Sequence, residues 1–319
     1  MQTKEISIQR KKSTLLPALV WLSVIALFLV FSPKTAEHVR NGISLCLGTV
    51  IPSVFPFMVI SALVVSSGAG RDLGALFSLP LRLIFGVSDA AACPVFIGLV
   101  CGYPTGAFTA AAMLDGGEIT KKELSRLLTF INVPGAAFVI GGVGSGMLGS
   151  SGLGVAIYLS VLLSAVTVGV AGRFFSKGND GTSSARIVRE SIPLSRAIPE
   201  AIRTAAVNMM NVSACVITFS VLSGMICSIP ALGVAPPWIK AVISGFFEVS
   251  SGASAASLAP HPVAPLIAAS VCAWSGLSVH MQIISACRGR DVSFTPFFIS
   301  KAAQSIVAPA YLSLILHFF

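Results

Sequence analysis

The feature that most constrains this chain is a pair of long apolar segments, each broken in the middle. Residues 91–114 are almost wholly apolar or small, yet the run Gly102, Tyr103, Pro104, Thr105, Gly106 interrupts them. Residues 238–258 repeat the pattern, with the interruption at Glu248, Val249, Ser250, Ser251, Gly252. A helix broken inside a bilayer leaves amide and carbonyl groups without water. Such a break is tolerated only where it is buried in protein or lines a polar cavity. Two breaks in corresponding places of two halves point to the binding site of a secondary transporter.

Composition supports the membrane reading. The chain is 55% hydrophobic and 10% charged, with mean hydropathy +0.89, whereas soluble domains carry about 25% charged residues. The net charge of +9 is therefore read as a topology signal and not as a nucleic-acid footprint, because the basic residues fall between apolar spans. The seven cysteines lie mostly inside apolar runs, and His38, His261, His280 and His317 are scattered. They read as packing residues, with no metal site and no cofactor.

The pattern predicts an all-α membrane protein with about seven transmembrane helices and two re-entrant hairpins arranged as inverted repeats. Lys4, Arg10, Lys11 and Lys12 precede an apolar run from Thr14, which reads as a retained N-terminal anchor within 1–41. The first repeat covers 42–172. It opens with a span over 42–67, kinked by Pro52 and Pro56, and a mixed-face segment over 70–87 that lies in the interface. After the first broken segment, Thr120 stands three residues before Glu123, a capping-box spacing that starts a helix near Lys121. That helix is interrupted at Asn132, Val133, Pro134, Gly135, since Pro134 lacks an amide and biases Val133 away from helix. A span over 152–171 closes the repeat.

A polar stretch, 173–197, joins the halves. The second repeat, 198–319, holds a span ending near Ile229, the second broken segment, a helix over 265–286 interrupted at Trp274, Ser275, Gly276, and a last span over 296–316. With both hairpins re-entrant, all but Lys34, Arg40 and Lys240 of the 21 Lys and Arg residues fall inside. That places the N-terminus in the cytoplasm of a multi-pass cell-membrane protein.

Half-helices that start in mid-membrane aim unpaired amides and a positive dipole end at whatever fills the gap. The expected substrate-binding set is Tyr103, Pro104, Thr105, Gly106, Asn132, Pro134, Gly135, Glu248, Ser250, Ser251, Gly252, Ser275 and Gly276. Thr105, Ser250, Ser251 and Ser275 are suitable helix N-caps or direct ligand donors. The alternative for the small residues is close helix packing. Glu248, an acidic residue deep in an apolar stretch, is the coupling candidate for a proton or a sodium ion. Its structural alternative is a hydrogen bond to the Ser250 or Ser251 backbone. Asn208 and Asn211 are placed toward the cavity, and Lys301 is expected to snorkel to the inner face. No nucleotide-binding loop or hydrolase motif is present, so neither ATP-driven pumping nor enzyme activity is expected.

Residues 98–150 carry three elements in order: GYPTGA at Gly102 to Ala107, GEITKKELSRLL at Gly117 to Leu128, and NVPGAAFVIGGVG at Asn132 to Gly144. On these elements the chain resembles the sporulation integral membrane proteins of YlbJ type. That family is similar to the gate domain of nucleoside transporters and iron-transport membrane proteins. The resemblance implies a transporter with paired hairpins, and a solute such as dipicolinate crossing the outer forespore membrane. Partners are then the lipid bilayer and a small polar or anionic solute, with a homo-oligomer compatible. Two rival readings stand beside it. One is a non-transporting gate-like subunit that recruits partners in spore assembly. The other is an intramembrane lipid-modifying enzyme, for which Glu248 with His280 is the available acid–base pair.

Overall fold

The structure, a computed structural model, describes residues 15–175 and 193–318. The basic residues Lys4 to Lys12, the start of the expected anchor at Thr14, and most of the 173–197 linker lie outside the described residues. Among the described residues the chain is helical, with no strand. Among the described residues, five helical stretches are long and apolar enough to cross a membrane: Ser32–Ser66, Ser151–Phe174, Leu194–Cys227, Val263–Ala286 and Thr295–Phe318.

The order begins with α1 (Leu15–Val30), α2 (Ser32–Leu45) and α3 (Ile51–Ser66). A single π turn, Cys46–Val50, joins α2 to α3, and the Ile51 amide donates to the Cys46 carbonyl. The wider turn sits where the Pro52 ring would otherwise strike the carbonyl four residues back. This span begins ten residues earlier than the sequence pattern indicates, because the polar turns of α2 are held by protein. His38 hydrogen-bonds Ser228 at 3.3 Å and packs directly over Gly224. The amphipathic α4 (Ala69–Phe85) follows. It turns Leu76, Leu79 and Leu83 outward and stacks Phe77 on Phe96 with ring centroids 4.6 Å apart.

The first broken segment is α5 (Ala92–Cys101) folded back on α6 (Thr105–Asp115). Next come α7 (Lys121–Leu128), an irregular stretch, a π-helix over Ala137–Met147, and α8 (Ser151–Phe175). The Thr120 hydroxyl caps α7 by accepting the Glu123 amide at 3.1 Å. The Glu123 carboxylate does not complete the box; it accepts the Ser88 amide at 2.8 Å and ties α7 to the entrance of α5. The second half runs α9 (Leu194–Cys227), α10 (Pro230–Gly233), α11 (Pro237–Phe247), α12 (Val249–Ala256), α13 (Val263–Trp274), α14 (Gly276–Ala286) and α15 (Thr295–Phe318).

Both folded-back pairs are built alike. A β-carbon on Gly106 would lie 2.6 Å from the Gly98 α-carbon, and one on Gly252 would lie 2.2 Å from the Gly245 α-carbon. Neither crossing has room for a side chain. Each glycine pair then sits on the chain just before the next break. Gly98 and Gly106 rest on Ile131, and Gly245 and Gly252 rest on Val271. Gly135 and Ser275 each follow four residues after those seats. Gly135 and Ser275 thus hold equivalent places in the two halves.

Polar groups gather at one end of the bundle. Arg290 pairs with Asp115, Lys121 lies 3.8 Å from Asp291, and Arg126 donates to the Gly86 carbonyl at 3.0 Å. Arg173 at the end of α8 donates to the Leu83 carbonyl.

Candidate functional site

The chain reverses between α5 and α6 at Gly102, whose φ is +81°. A β-carbon there would lie 2.1 Å from the Gly135 nitrogen, so glycine is required by both conformation and space. The Tyr103 amide donates to the Val133 carbonyl at 2.7 Å. The first hairpin tip is thereby clamped onto the break between α7 and the π-helix. The second tip is a single extended residue, Glu248 (φ −144°, ψ 123°), between α11 and α12. Its counterpart break is Ser275, with φ 77°, between α13 and α14. A β-carbon on Gly276 would lie 2.9 Å from the Val249 nitrogen, so this tip is clamped as well.

The two tips meet. Tyr103, Pro104 and Gly135 from the first half, and Glu248, Ser250 and Gln282 from the second, line one cavity. Its volume is about 30 Å³, room for about one water and not for a metabolite. A second cavity of about 610 Å³ lies within the usual range for small-ligand pockets, roughly 300–1,000 Å³. It includes Thr105, the neighbour in sequence of Pro104 in the smaller cavity, and is lined by Ser61, Thr109, Thr204 and Asn208, with Glu200, Asp115 and Arg290 as its charged groups.

Glu248 is fully buried. Its carboxylate caps α12, with Oε1 accepting the Ser250 amide at 3.0 Å and Oε2 accepting the Ser251 amide at 2.6 Å. This is the structural arrangement weighed for it above. An ionised carboxylate at a helix N-terminus satisfies two orphan amides and meets the positive dipole end. Each oxygen keeps a lone pair beyond the one the amide uses.

The expected capping serines do not cap. Ser250 and Ser251 lie inside α12 because Glu248 takes the N-cap place, and the Ser251 hydroxyl instead lies 3.2 Å from that of Ser220. Thr105 is the first residue of α6, behind Pro104. Its buried hydroxyl has no protein partner, although its carbonyl accepts Thr109 Oγ1 at 2.9 Å, and Thr109 in turn meets Ser61 at 2.7 Å. Ser275 does hold the N-cap position of α14, yet its hydroxyl turns back to the Cys272 carbonyl at 3.3 Å.

Asn132 Nδ2 donates to the Leu128 carbonyl at 2.8 Å and closes the end of α7, while Oδ1 has no protein partner. Pro134, Gly106, Gly252 and Gly276 serve the close approaches and face neither cavity. Asn208 lines the larger cavity and not the one at the tips, and Asn211 lines neither.

Three arrangements are not legible in the residue pattern. Lys301 does not snorkel. It is fully buried, donating to the Asn132 carbonyl at 2.8 Å and to Gln304 Oε1 at 3.1 Å. Arg290 Nε donates to Asp115 Oδ1 at 2.8 Å, and its Nη2 contacts Oδ2. The hydrogen bond to Asp115 raises the Arg290 pKa further above its already high ordinary value, so the guanidinium stays charged. His280 Nδ1 is occupied by the Gly276 carbonyl at 2.6 Å, and the ring packs among Trp274, Phe297 and Phe298. Glu248 and His280 thus bond to separate partners. No cluster of His, Cys, Asp or Glu suited to a metal occurs among the described residues.

The chain is similar to the sporulation integral membrane protein YlbJ of Bacillus subtilis (strain 168), at 24% identity over 340 residues, covering 96% of this chain and 83% of that relative. The resemblance to the YlbJ-type family holds across almost the whole chain. It therefore reaches beyond residues 98–150, where the three motifs lie, to the YlbJ-like second half with Glu248 and Ser275. No family model matches the chain, and no solved structure matches it.

Proposed function

We propose that this chain is a secondary membrane transporter of a small polar or anionic solute, with its site at the tips of the two broken-helix hairpins. The observation that carries this reading is the meeting of Tyr103 and Pro104 with Glu248 and Ser250 around one small cavity, with the larger cavity including Thr105, the neighbour in sequence of Pro104. Solute enters the larger cavity, and movement of the first hairpin passes it toward the Glu248 side. Alternating access requires a second arrangement in which the first hairpin has moved away from the break that clamps it.

In this reading the chain has seven spans in the cell membrane. Five are the long apolar helices. The sixth is α1, and the seventh is α7 continued by the π-helix. The N-terminus is cytoplasmic, and the end bearing Arg290, Lys121, Arg126 and Arg173 faces the same side. The hairpins enter from opposite faces, so 42–172 and 198–319 are inverted repeats of a gate-like unit. The shared glycine crossings on Ile131 and Val271 support this. Dipicolinate during sporulation is the first solute to test, given the YlbJ-like character of the chain. Glu248 is the group that couples or contacts the solute.

The experiment is a melting-temperature screen of the purified chain against dipicolinate, nucleosides and other small carboxylates. A ligand that binds only the folded state stabilises by about 2.7 kcal/mol at a hundred times its Kd. A saturable rise with one class names the solute class. Flat curves for every class favour the non-transporting subunit.

A further inference from the structure

We propose that the Lys301 ammonium is a built-in substitute for a coupling cation, so that solute movement through this chain does not depend on sodium. The inference rests on the transporter reading for its meaning, but its test uses only the folded protein. In broken-helix transporters, unwound carbonyls and half-helix C-terminal ends hold the coupling Na⁺ or H⁺. The equivalent place here is the stretch that follows α7, where Thr129 and Asn132 present carbonyl oxygens outside any regular helix.

Both carbonyls are taken by α15. Gln304 Nε2 donates to the Thr129 carbonyl at 2.7 Å. Lys301 Nζ donates to the Asn132 carbonyl at 2.8 Å and to Gln304 Oε1 at 3.1 Å. Lys301 and Gln304 are both fully buried. The acceptors are a main-chain carbonyl and a side-chain amide, the neutral oxygens that suit an alkali cation, and the C-terminal dipole end of α7 adds partial negative charge. A lysine stem anchored in α15 fixes an amine donor at that place.

The second half differs at its own break. There the carbonyls of Cys272 and Ala273 are met by the neutral Ser275 hydroxyl at 3.3 and 3.4 Å. The cation is thus confined to the first-half break, directly behind the Gly135 that closes on the first hairpin tip.

The test measures melting of the full chain in detergent, in sodium chloride against choline chloride, for the wild type, Lys301→Ala and Lys301→Met. The wild type is expected to melt at the same temperature in both salts. Lys301→Ala should melt several degrees lower, with saturable recovery in sodium or methylammonium but not in choline. Lys301→Met fills the space without charge and should melt lower with no recovery. A sodium-dependent wild type, a Lys301→Met variant as stable as the wild type, or a Lys301→Ala variant blind to every small cation overturns the proposal. Should Lys301→Ala fail to fold, the wild-type comparison and Lys301→Met still decide. A chain that behaves as expected here yet moves no solute in liposomes refutes the transporter reading alone.

Discussion

Gly252 lies so close over Gly245 that a β-carbon on it would stand 2.2 Å from the Gly245 α-carbon, and Gly106 stands over Gly98 in the same way at 2.6 Å. Neither contact leaves space for a methyl group. Gly106→Ala and Gly252→Ala should each destabilise by about 1–3 kcal/mol, the cost of overpacking. Gly172→Ala, in α8 and with nothing within 4 Å of the added β-carbon, should not destabilise and should gain up to about 1 kcal/mol from helix propensity. Melting of the three variants checks this. Equal stability across the set would mean the hairpins do not close on their glycines.

Glu248 holds two amides with two oxygens. Glu248→Ala removes both bonds and should destabilise by at least the ~0.5–2 kcal/mol of a lost cap. Glu248→Gln keeps one acceptor oxygen, so the protein should insert and fold while solute uptake falls about tenfold or more. Uptake at the wild-type rate in Glu248→Gln would confine Glu248 to a structural role.

The Thr105 hydroxyl is buried without a protein partner and borders the larger cavity. Thr105→Val removes no protein hydrogen bond, so melting should hold while solute affinity falls about tenfold, near 1.4 kcal/mol. Asn132→Ala also loses the bond to Leu128. It should weaken solute binding and lower stability by about 1 kcal/mol. Unchanged binding isotherms for both variants would return these residues to packing.

Arg290 and Asp115 join the end of α14 to the end of α6 beside the larger cavity. The pair is partly exposed, so a double-mutant cycle with Asp115→Asn and Arg290→Met should give a coupling of about 1 kcal/mol or less, shrinking in high salt. The Arg290 pKa is raised in the folded state. Its contribution is therefore complete below the unfolded pKa and lost only above the folded one, and stability should not fall across the neutral range on its account. A coupling that grows with salt would contradict the pairing.

The breaks were legible because Gly, Pro and a lone acid interrupt apolar runs, and lipid forbids that without a reason. Thr120 as the cap of α7 was legible from its spacing to Glu123. The destination of the Glu123 carboxylate at Ser88 was not, because nothing local links residues 35 positions apart. Lys301 misled for a related reason. A lysine in an apolar helix ordinarily reaches for water, and only the folded position of the Asn132 carbonyl supplies an interior alternative. The larger cavity was also hidden, since its walls come from α3, α6, α9 and the loop after α14, and no single segment announces it.

The most direct test is flux of labelled dipicolinate, and of a nucleoside and a second small dicarboxylate, into liposomes holding the purified chain. The account predicts saturable uptake of one of these above that of empty liposomes, strongly reduced by Glu248→Gln. Uptake no greater than in empty liposomes for every solute, from protein shown to be folded, would contradict it.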